Sequence, residues 1–153
     1  MKLSSKGRYA VRALFDIAFY NDGQPTQVKD IAERQAIPPR FLEQIFQDLK
    51  RAGIVGSKRG PQGGYLLGRD ASKIPLGEVI EVMEGPVSLG QGKNPEVQTD
   101  DTTDGRRVSD AIFEELSISI SACLNAVSIA DVCNKAEALG IRRSDEQSYM
   151  YFI

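Results

Sequence analysis

The sequence contains no histidine and no tryptophan, and its only cysteines are Cys123 and Cys133. Without histidine there is no imidazole to act as a general base, to activate a serine or cysteine nucleophile, or to bind a metal ion. No arrangement of carboxylates or lysines replaces it. We therefore expect a protein that is not an enzyme and has no metal site.

Long apolar runs are also missing from the sequence. None approaches the roughly 18 to 20 residues that cross a bilayer, and the basic N-terminus lacks the apolar core and cleavage site of a signal peptide. The spacing of the two cysteines matches no redox or zinc motif, so both are interpreted as reduced thiols. We expect a cytoplasmic protein.

Charge is distributed unevenly along the chain. Residues 1–70 carry 12 Lys and Arg against 7 Asp and Glu, whereas residues 71–153 carry 7 against 14. A basic first half favours contact with a polyanion such as nucleic acid. Ordinary surface charge would give the same asymmetry, so this observation does not decide between the two interpretations.

Apolar periodicity in the first half predicts three helices, at residues 5–20, 27–35 and 38–50. Thr26 is the expected cap of the second helix, and Pro39 suits the first turn of the third. Two helices joined by a tight turn, the second with a polar outer face, indicate a helix-turn-helix. The expected buried face of the third helix consists of Leu42, Ile45, Phe46 and Leu49.

A glycine-rich hairpin is predicted next. Two β-type runs, 54–58 and 65–67, flank the sequence RGPQGG at residues 59–64. Glycines can also cradle a phosphate, but neither GxxxxGK[ST] nor GxGxxG is present. The hairpin is therefore interpreted as a wing. The predicted fold is mainly α with a small β-hairpin wing, a winged helix-turn-helix followed by a long dimerisation helix.

A long helix at 106–126 carries an apolar stripe that needs a partner, and a second copy of the chain is the natural one. The expected organisation is a DNA-binding domain at 1–85, a flexible linker at 86–105, dimerisation helices at 106–140 and a tail at 141–153. The expected dimerisation residues are Ile112, Phe113, Leu116, Ile120, Cys123, Leu124 and Val127.

The third helix is expected to enter the major groove of double-stranded DNA. Arg40 and Gln44 suit guanine and adenine, and Glu43 can accept a hydrogen bond from cytosine. Each of these residues could instead belong to an ordinary solvated helix face. The expected DNA contacts comprise the base-facing Arg40, Glu43 and Gln44, the thymine-methyl contacts Pro39 and Phe41, the phosphate contacts Lys6, Arg8 and Lys50, and the wing residues Lys58 and Arg59.

Three motifs resemble the Rrf-type winged helix-turn-helix regulators of the IscR/CymR type: MKLSSKGRYA at 1–10, FLEQIF at 41–46 and RGPQGGYLL at 59–67. The resemblance implies a homodimeric regulator, a repressor, that binds a dyad-symmetric operator and controls cysteine, sulfur or iron–sulfur metabolism. It also implies that Glu43 and Gln44 tune base choice while Arg59 reaches the minor groove.

Cluster-binding members of that family carry three closely spaced cysteines before the long helix. Residues 90–107 of this chain contain neither cysteine nor histidine, and thiolates hold such clusters, so we expect no iron–sulfur cluster and no other cofactor. Cys123 is interpreted as a small apolar member of the stripe. Cys133 is expected to be the more exposed thiol, and no basic neighbour supports a redox role.

The sequence ends in YMYFI, at residues 149–153. Some relatives act with cysteine synthase, an enzyme that accepts a C-terminal isoleucine carboxylate, so the resemblance makes Ile153 a candidate partner-binding residue. Packing of the tail on its own dimer is the alternative. The alternative function is accordingly an interaction module that senses metabolism by docking such an enzyme.

Overall fold

The computed structural model of the chain describes residues 2–90 and 103–143. Within these segments the fold is mainly helical with one antiparallel hairpin, as the sequence predicts. None of the helices described there is long and apolar enough to span a membrane. The elements are α1 (Ser5–Asn21), α2 (Val28–Gln35), α3 (Pro39–Arg51), β1 (Val55–Lys58), β2 (Gly64–Leu67), a 3-10 turn (Ala71–Lys73), α4 (Leu76–Glu84), α5 (Asp104–Asn125) and α6 (Ile129–Ala138).

Helix α1 forms the centre of the core, and α2, α3, α4 and α6 pack around it. Leu14, Ile17 and Phe19 are fully buried, because their spacing places them on the faces that these helices cover. Removal of this apolar surface from water is the main force that holds the helices together.

Asp16 is a fully buried carboxylate within this core. Arg34 donates two hydrogen bonds to its Oδ1, at 3.2 and 2.7 Å, and one to its Oδ2 at 3.0 Å, and Gln35 Nε2 donates another to Oδ2 at 2.9 Å. These bonds offset the cost of burying the charge and fix α2 against α1. The hydrogen bond to Asp16 also raises the pKa of Arg34.

The helix-turn-helix consists of α2, a tight turn and α3. Pro39 lies in the first turn of α3, as expected, and the predicted apolar face of α3 is buried. The expectation that Thr26 caps α2 is wrong, because the cap position is Gln27 and Thr26 is buried. Its backbone instead exchanges two hydrogen bonds with Tyr65, at 2.8 and 2.9 Å.

The wing pairs β1 with β2, with Val55 opposite Leu67 and Lys58 opposite Gly64. Gly64 has φ 144°, and a Cβ there would lie 2.3 Å from the carbonyl oxygen of Thr26. A Cβ at Gly63 would lie 2.2 Å from the carbonyl oxygen of Lys58. Only glycine fits so close to a backbone, so Gly63 allows the hairpin to close on itself and Gly64 allows it to approach the segment before α2.

Helix α6 shares one core with α1, although it follows α5 in the chain. It begins with a capping box of Ser128 and Asp131, and its buried face includes Ile129, Cys133 and Ala136. The expectation of an exposed Cys133 is wrong, because that residue is only 7% exposed. Burial raises the pKa of its thiol, which suppresses the reactive thiolate.

Helix α5 has no buried residue and is held at its C-terminal end. Leu76 N–H donates to Val127 O at 2.8 Å, and Ile129 N–H donates to Ile74 O at 2.9 Å. Gly77 lies so close to Asn125 that a Cβ would stand 2.1 Å from the Oδ1 atom. The residues after α5 are thus anchored to the start of α4, and the apolar side chains of α5 stay accessible.

Candidate nucleic-acid interface

The outer face of α3 is fully accessible. Arg40, Phe41, Glu43 and Gln44 are all exposed, because helical periodicity places them away from the buried face. Phe41 is 55% exposed and its ring contacts that of Tyr9, with centroids 6.4 Å apart. A polar helix face with one supported aromatic ring is suited to the major groove, where base edges and thymine methyls are both presented.

The wing lies beside the C-terminal half of α3. Lys50 Nζ donates a hydrogen bond to Ser57 Oγ in β1 at 2.6 Å, and Gln27 Nε2 donates to the carbonyl oxygen of Pro61 at 3.4 Å. Lys58 and Arg59 are exposed at the tip. The wing is therefore fixed to both helices of the helix-turn-helix while its two cations face solvent.

The N-terminal turn of α1 adjoins the opposite side of α3. Lys6 Nζ forms an ion pair with Asp48 Oδ2 at 2.7 Å, and Asp48 also pairs with Arg51 at 3.1 Å. The start of α1 is held in turn by Glu84, whose Oε1 accepts a hydrogen bond from the Ser4 N–H at 2.6 Å. These contacts bring Lys6, α3 and the wing together as parts of one surface.

Several cations of this surface have no ion pair with any described residue. They retain their full charge for a polyanion, whereas Lys6 would have to share its charge with Asp48. Arg8 and Lys50 are also exposed, although Lys50 is already hydrogen-bonded to Ser57. The cations without an ion pair among the described residues are Arg8, Arg40, Lys50, Lys58 and Arg59.

Sequence reasoning did not find Asp48, Ser57 or Tyr9. These residues contact and position the predicted DNA-binding residues Lys6, Lys50 and Phe41. Asp48 lies one turn after Gln44 on the side of α3 that faces α1. An acidic residue on a helix expected to meet DNA was a usable signal, since it needs a cation nearby. Ser57 and Tyr9 gave no such signal, because their partners are distant in sequence.

The predicted apolar stripe of α5 is largely accessible. Ile112 is 49% exposed, Phe113 42% and Leu116 45%, and Val127, just beyond the helix, is 38% exposed. Cys123 is exposed, and Ile120 and Leu124 are half-buried. Val108, one turn before Ile112, extends the stripe and is 65% exposed.

The donor set for an iron–sulfur cluster is incomplete. The whole sequence offers two cysteines and no histidine, and Cys133 is buried in the core. Among residues 2–90 and 103–143, no group of three or more His, Cys, Asp or Glu side chains is placed to hold a metal ion. These residues do not fit a cluster held by three thiolates. The proposed partner-binding residue, Ile153, lies outside the described residues.

Comparisons with known proteins agree with this geometry. Residues 3–135 match the Rrf2 family, described as an iron-dependent transcriptional regulator. The chain is 41% identical over 143 residues to the HTH-type transcriptional regulator IscR of Escherichia coli O1:K1 / APEC. The aligned region covers 92% of this chain and 85% of that protein.

Two solved structures share the fold. One is T. potens IscR, with a TM-score of 0.72, 34% identity, and coverage of 99% of this chain and 97% of that chain. The other is CymR (YrzC), the global cysteine regulator of B. subtilis, with a TM-score of 0.71, 30% identity, and coverage of 88% and 98%. The fold is thus a winged helix of non-enzymatic regulators, and the chain belongs to the Rrf2 family of transcriptional regulators.

Proposed function

We propose that the protein is a homodimeric, sequence-specific repressor that acts in the cytoplasm on a dyad-symmetric operator. The observation that carries this proposal is the exposed face of α3, flanked by unpaired cations from α1, from α3 and from the wing. Such a surface supplies both base readout and attraction to phosphate, which together give specific binding.

In the proposed complex α3 lies in the major groove. Arg40 and Gln44 contact base edges there, and Glu43 accepts from cytosine and discriminates against other bases. Phe41, supported by Tyr9, and Pro39 pack on thymine methyls. Phosphate contacts come from Lys6, Arg8, Lys50 and Lys58, and Arg59 enters the minor groove, where a narrow A·T stretch concentrates negative potential.

Dimerisation through α5 supplies the two-fold symmetry that a dyad-symmetric operator requires. The support for it is the exposed stripe, because apolar side chains that are 42 to 65% exposed along one helix face are better covered by a second helix than by water. Cys123 would then be buried between the two copies as a small apolar residue.

The regulated genes are proposed to belong to cysteine, sulfur or iron–sulfur metabolism, because the relatives are named IscR and the global cysteine regulator CymR. We propose that this chain works without an iron–sulfur cluster, since its thiols do not fit one. Docking of cysteine synthase through Ile153 stays a prediction from the sequence, and none of the described residues bears on it.

The test is selection of binding sites by the purified protein from random duplex DNA, followed by titration of the selected site at several salt concentrations. We expect a palindromic consensus sequence. Gln44→Ala should relax the base preference at one position in each half-site and weaken binding by about 1–3 kcal/mol. Arg107→Ala is the control, because Arg107 is an arginine of α5 and is not one of the proposed DNA contacts. Failure to enrich any sequence would refute the proposal.

The dimer is tested separately by sedimentation. Leu116→Asp places a charge on the stripe and should weaken association at least tenfold. Ile118→Asp is the control, since Ile118 is 64% exposed on the same helix but lies about 160° around the axis from Leu116 and about 120° from Ile112. A wild-type chain that stays monomeric at micromolar concentration contradicts the homodimer.

A further inference from the structure

A small, mainly apolar cavity lies between the start of α1 and the outer face of α3, with a volume of about 290 Å³. Phe41 and Gln44 belong to the exposed face of α3, so the cavity lies at the proposed DNA surface. Ile45, which is 1% exposed, closes it on the side of the core. The residues that line it are Ser5, Lys6, Tyr9, Phe41, Gln44 and Ile45.

The aromatic walls of the cavity are held in place by their neighbours. The rings of Tyr9 and Phe41 have centroids 6.4 Å apart and planes inclined by 56°. The Arg12 guanidinium lies over the other part of this support, 5.5 Å from the centroid of the Tyr9 ring, and donates a hydrogen bond to Gln35 O at the end of α2. The cavity is therefore preformed in the free chain, which lowers the cost of filling it.

The size and charge of the cavity select its occupant. Pockets for small-molecule effectors usually measure roughly 300–1,000 Å³, so this one suits a smaller group. A phosphate would need a free cation, whereas the Lys6 ammonium in the lining already pairs with Asp48 at 2.7 Å. The C5-methyl group of a pyrimidine is small and apolar, and the major groove presents it to the protein.

Gln44 supplies a polar contact beside the cavity. In the major groove an A·T pair presents adenine N7 and N6–H₂ together with thymine O4 and the C5-methyl group. An amide can bind two of these polar atoms at once. Because Gln44 also lines the cavity, its amide can bind the base pair whose methyl group enters between Tyr9 and Phe41.

We propose that the cavity between Tyr9 and Phe41 receives the C5-methyl group of a pyrimidine, which makes Tyr9 a specificity-determining residue outside the helix-turn-helix. This inference rests on the DNA binding proposed above and names the base atom that the surface recognises. Thymine carries this methyl group in unmodified DNA, and 5-methylcytosine carries it in methylated DNA. The cavity assigns the contact to Phe41 and Tyr9, since Pro39 does not line it.

The first test changes the methyl group on the DNA. Each thymine of the selected operator is replaced by deoxyuridine, and each cytosine, in a separate series, by 5-methylcytosine. Burial of one methyl group strengthens binding about fourfold. We therefore expect one thymine in each half-site whose replacement raises Kd about fourfold, measured by fluorescence anisotropy. A fourfold gain from methylation of one cytosine would support the cavity and identify 5-methylcytosine as the ligand.

Two negative outcomes of this test have different meanings. If Kd stays within about 1.5-fold of the unmodified operator for every replacement, the methyl proposal is overturned and DNA binding by α3 stands. If the chain enriches no operator from random DNA, the proposed function is overturned together with the inference.

The second test assigns the methyl group to this cavity. Tyr9→Ala and Phe41→Ala each remove one wall, and the ratio of Kd between the uracil and thymine operators should fall from about fourfold to about one. Tyr9→Phe keeps the ring and should keep the ratio. Arg40→Ala is the control, because Arg40 adjoins Phe41 but does not line the cavity. It should weaken binding to both operators and leave the ratio unchanged.

The ratio also separates recognition from a purely structural role. A wall residue that only stabilised the fold would weaken binding to both operators equally. Phe41 is 55% exposed, so Phe41→Ala should fold even if Tyr9→Ala does not, and thermal unfolding checks both. A ratio of about fourfold that persists in folded Phe41→Ala overturns the assignment of the methyl group to the cavity.

Discussion

The ring of Phe46 in α3 is stacked on the ring of Tyr65 in β2, with centroids 4.4 Å apart and planes inclined by 11°. The backbone of Tyr65 also pairs with Thr26, just before α2. One wing residue therefore contacts α3 through its side chain and the segment before α2 through its backbone. These contacts pack the wing firmly against the helix-turn-helix, which would keep Arg59 and Arg40 at a fixed separation in the proposed complex with DNA.

Replacement of Tyr65 tests this coupling. Tyr65→Ala removes the stacked ring and should lower the free energy of unfolding by about 2 kcal/mol, less than for a fully buried aromatic residue because Tyr65 is half-buried. Tyr65→Phe keeps the ring and should change the free energy of unfolding by less than about 0.5 kcal/mol. Urea unfolding and fluorescence anisotropy on operator DNA measure the two effects. Wild-type stability and affinity in Tyr65→Ala would contradict the coupling.

The glycine that closes the wing should tolerate no side chain. Gly64→Ala forces a Cβ to within 2.3 Å of a carbonyl oxygen at φ 144°, and we expect at least about 2 kcal/mol of destabilisation together with weaker DNA binding. Gly105→Ala is the matched control, because Gly105 is helical with nothing within 4 Å of the added Cβ. There we expect stabilisation of up to about 1 kcal/mol. Equal melting temperatures for the two variants would show that the wing adapts.

Local patterns predicted the DNA-binding unit well. The apolar spacing of Leu42, Ile45, Phe46 and Leu49 defines the buried face of α3, and it leaves the opposite face exposed by periodicity alone. The glycines at 63–64 predicted a hairpin because few other residues allow such a turn. Both signals act over a few residues, which is why the sequence sufficed.

Contacts between distant segments were not predictable from those patterns. Thr26 precedes a helix and looks like a cap, yet its backbone pairs with Tyr65, 39 positions later. Cys133 lies on a short helix whose burial depends on α1, more than 100 positions earlier. Asp16 carried a detectable signal, since a carboxylate within the sequence LFDIAF must be exposed or paired. Its partner, Arg34, could not be named without the fold.

The buried ion pair of Asp16 and Arg34 should contribute strongly to stability. Asp16→Asn removes the charge and leaves Arg34 without its carboxylate, and we expect a loss of about 3 kcal/mol. This loss lies at the lower end of the range for breaking a buried ion pair, because the Arg34 side chain is 33% exposed and water can reach it. Asp22→Asn, in an exposed pair with Arg143, is the control and should cost less than about 1 kcal/mol. Urea unfolding compares them, and equal midpoints would contradict the role of Asp16.

Arg59 at the wing tip should contribute to affinity and to salt dependence. Because its guanidinium has no ion pair among the described residues, Arg59→Ala should weaken operator binding by about 1–3 kcal/mol and reduce the slope of log K against log salt by about 1. The loss should be greatest on A·T-rich flanks. Arg107→Ala, on α5, should leave affinity and slope unchanged. An unaltered slope for Arg59→Ala would exclude the wing from DNA.

The two thiols should differ in reactivity for separate reasons. Cys133 should react with a thiol reagent only through unfolding, because burial in the core raises its pKa and blocks access. The native state then keeps a proton that the unfolded state releases, so the contribution of Cys133 to stability should fall as pH rises through the ordinary pKa of a thiol. Cys123 is exposed in the single chain.

If α5 pairs with a second copy, labelling of Cys123 should slow as protein concentration rises through the dimer dissociation constant, since only the monomer exposes it. Cys133→Ser and Cys123→Ser variants isolate the two rates. Labelling of Cys123 at one rate over the whole concentration range would place it outside the dimer interface. Labelling of Cys133 at the rate of a free thiol in the native protein would show that α6 leaves the core.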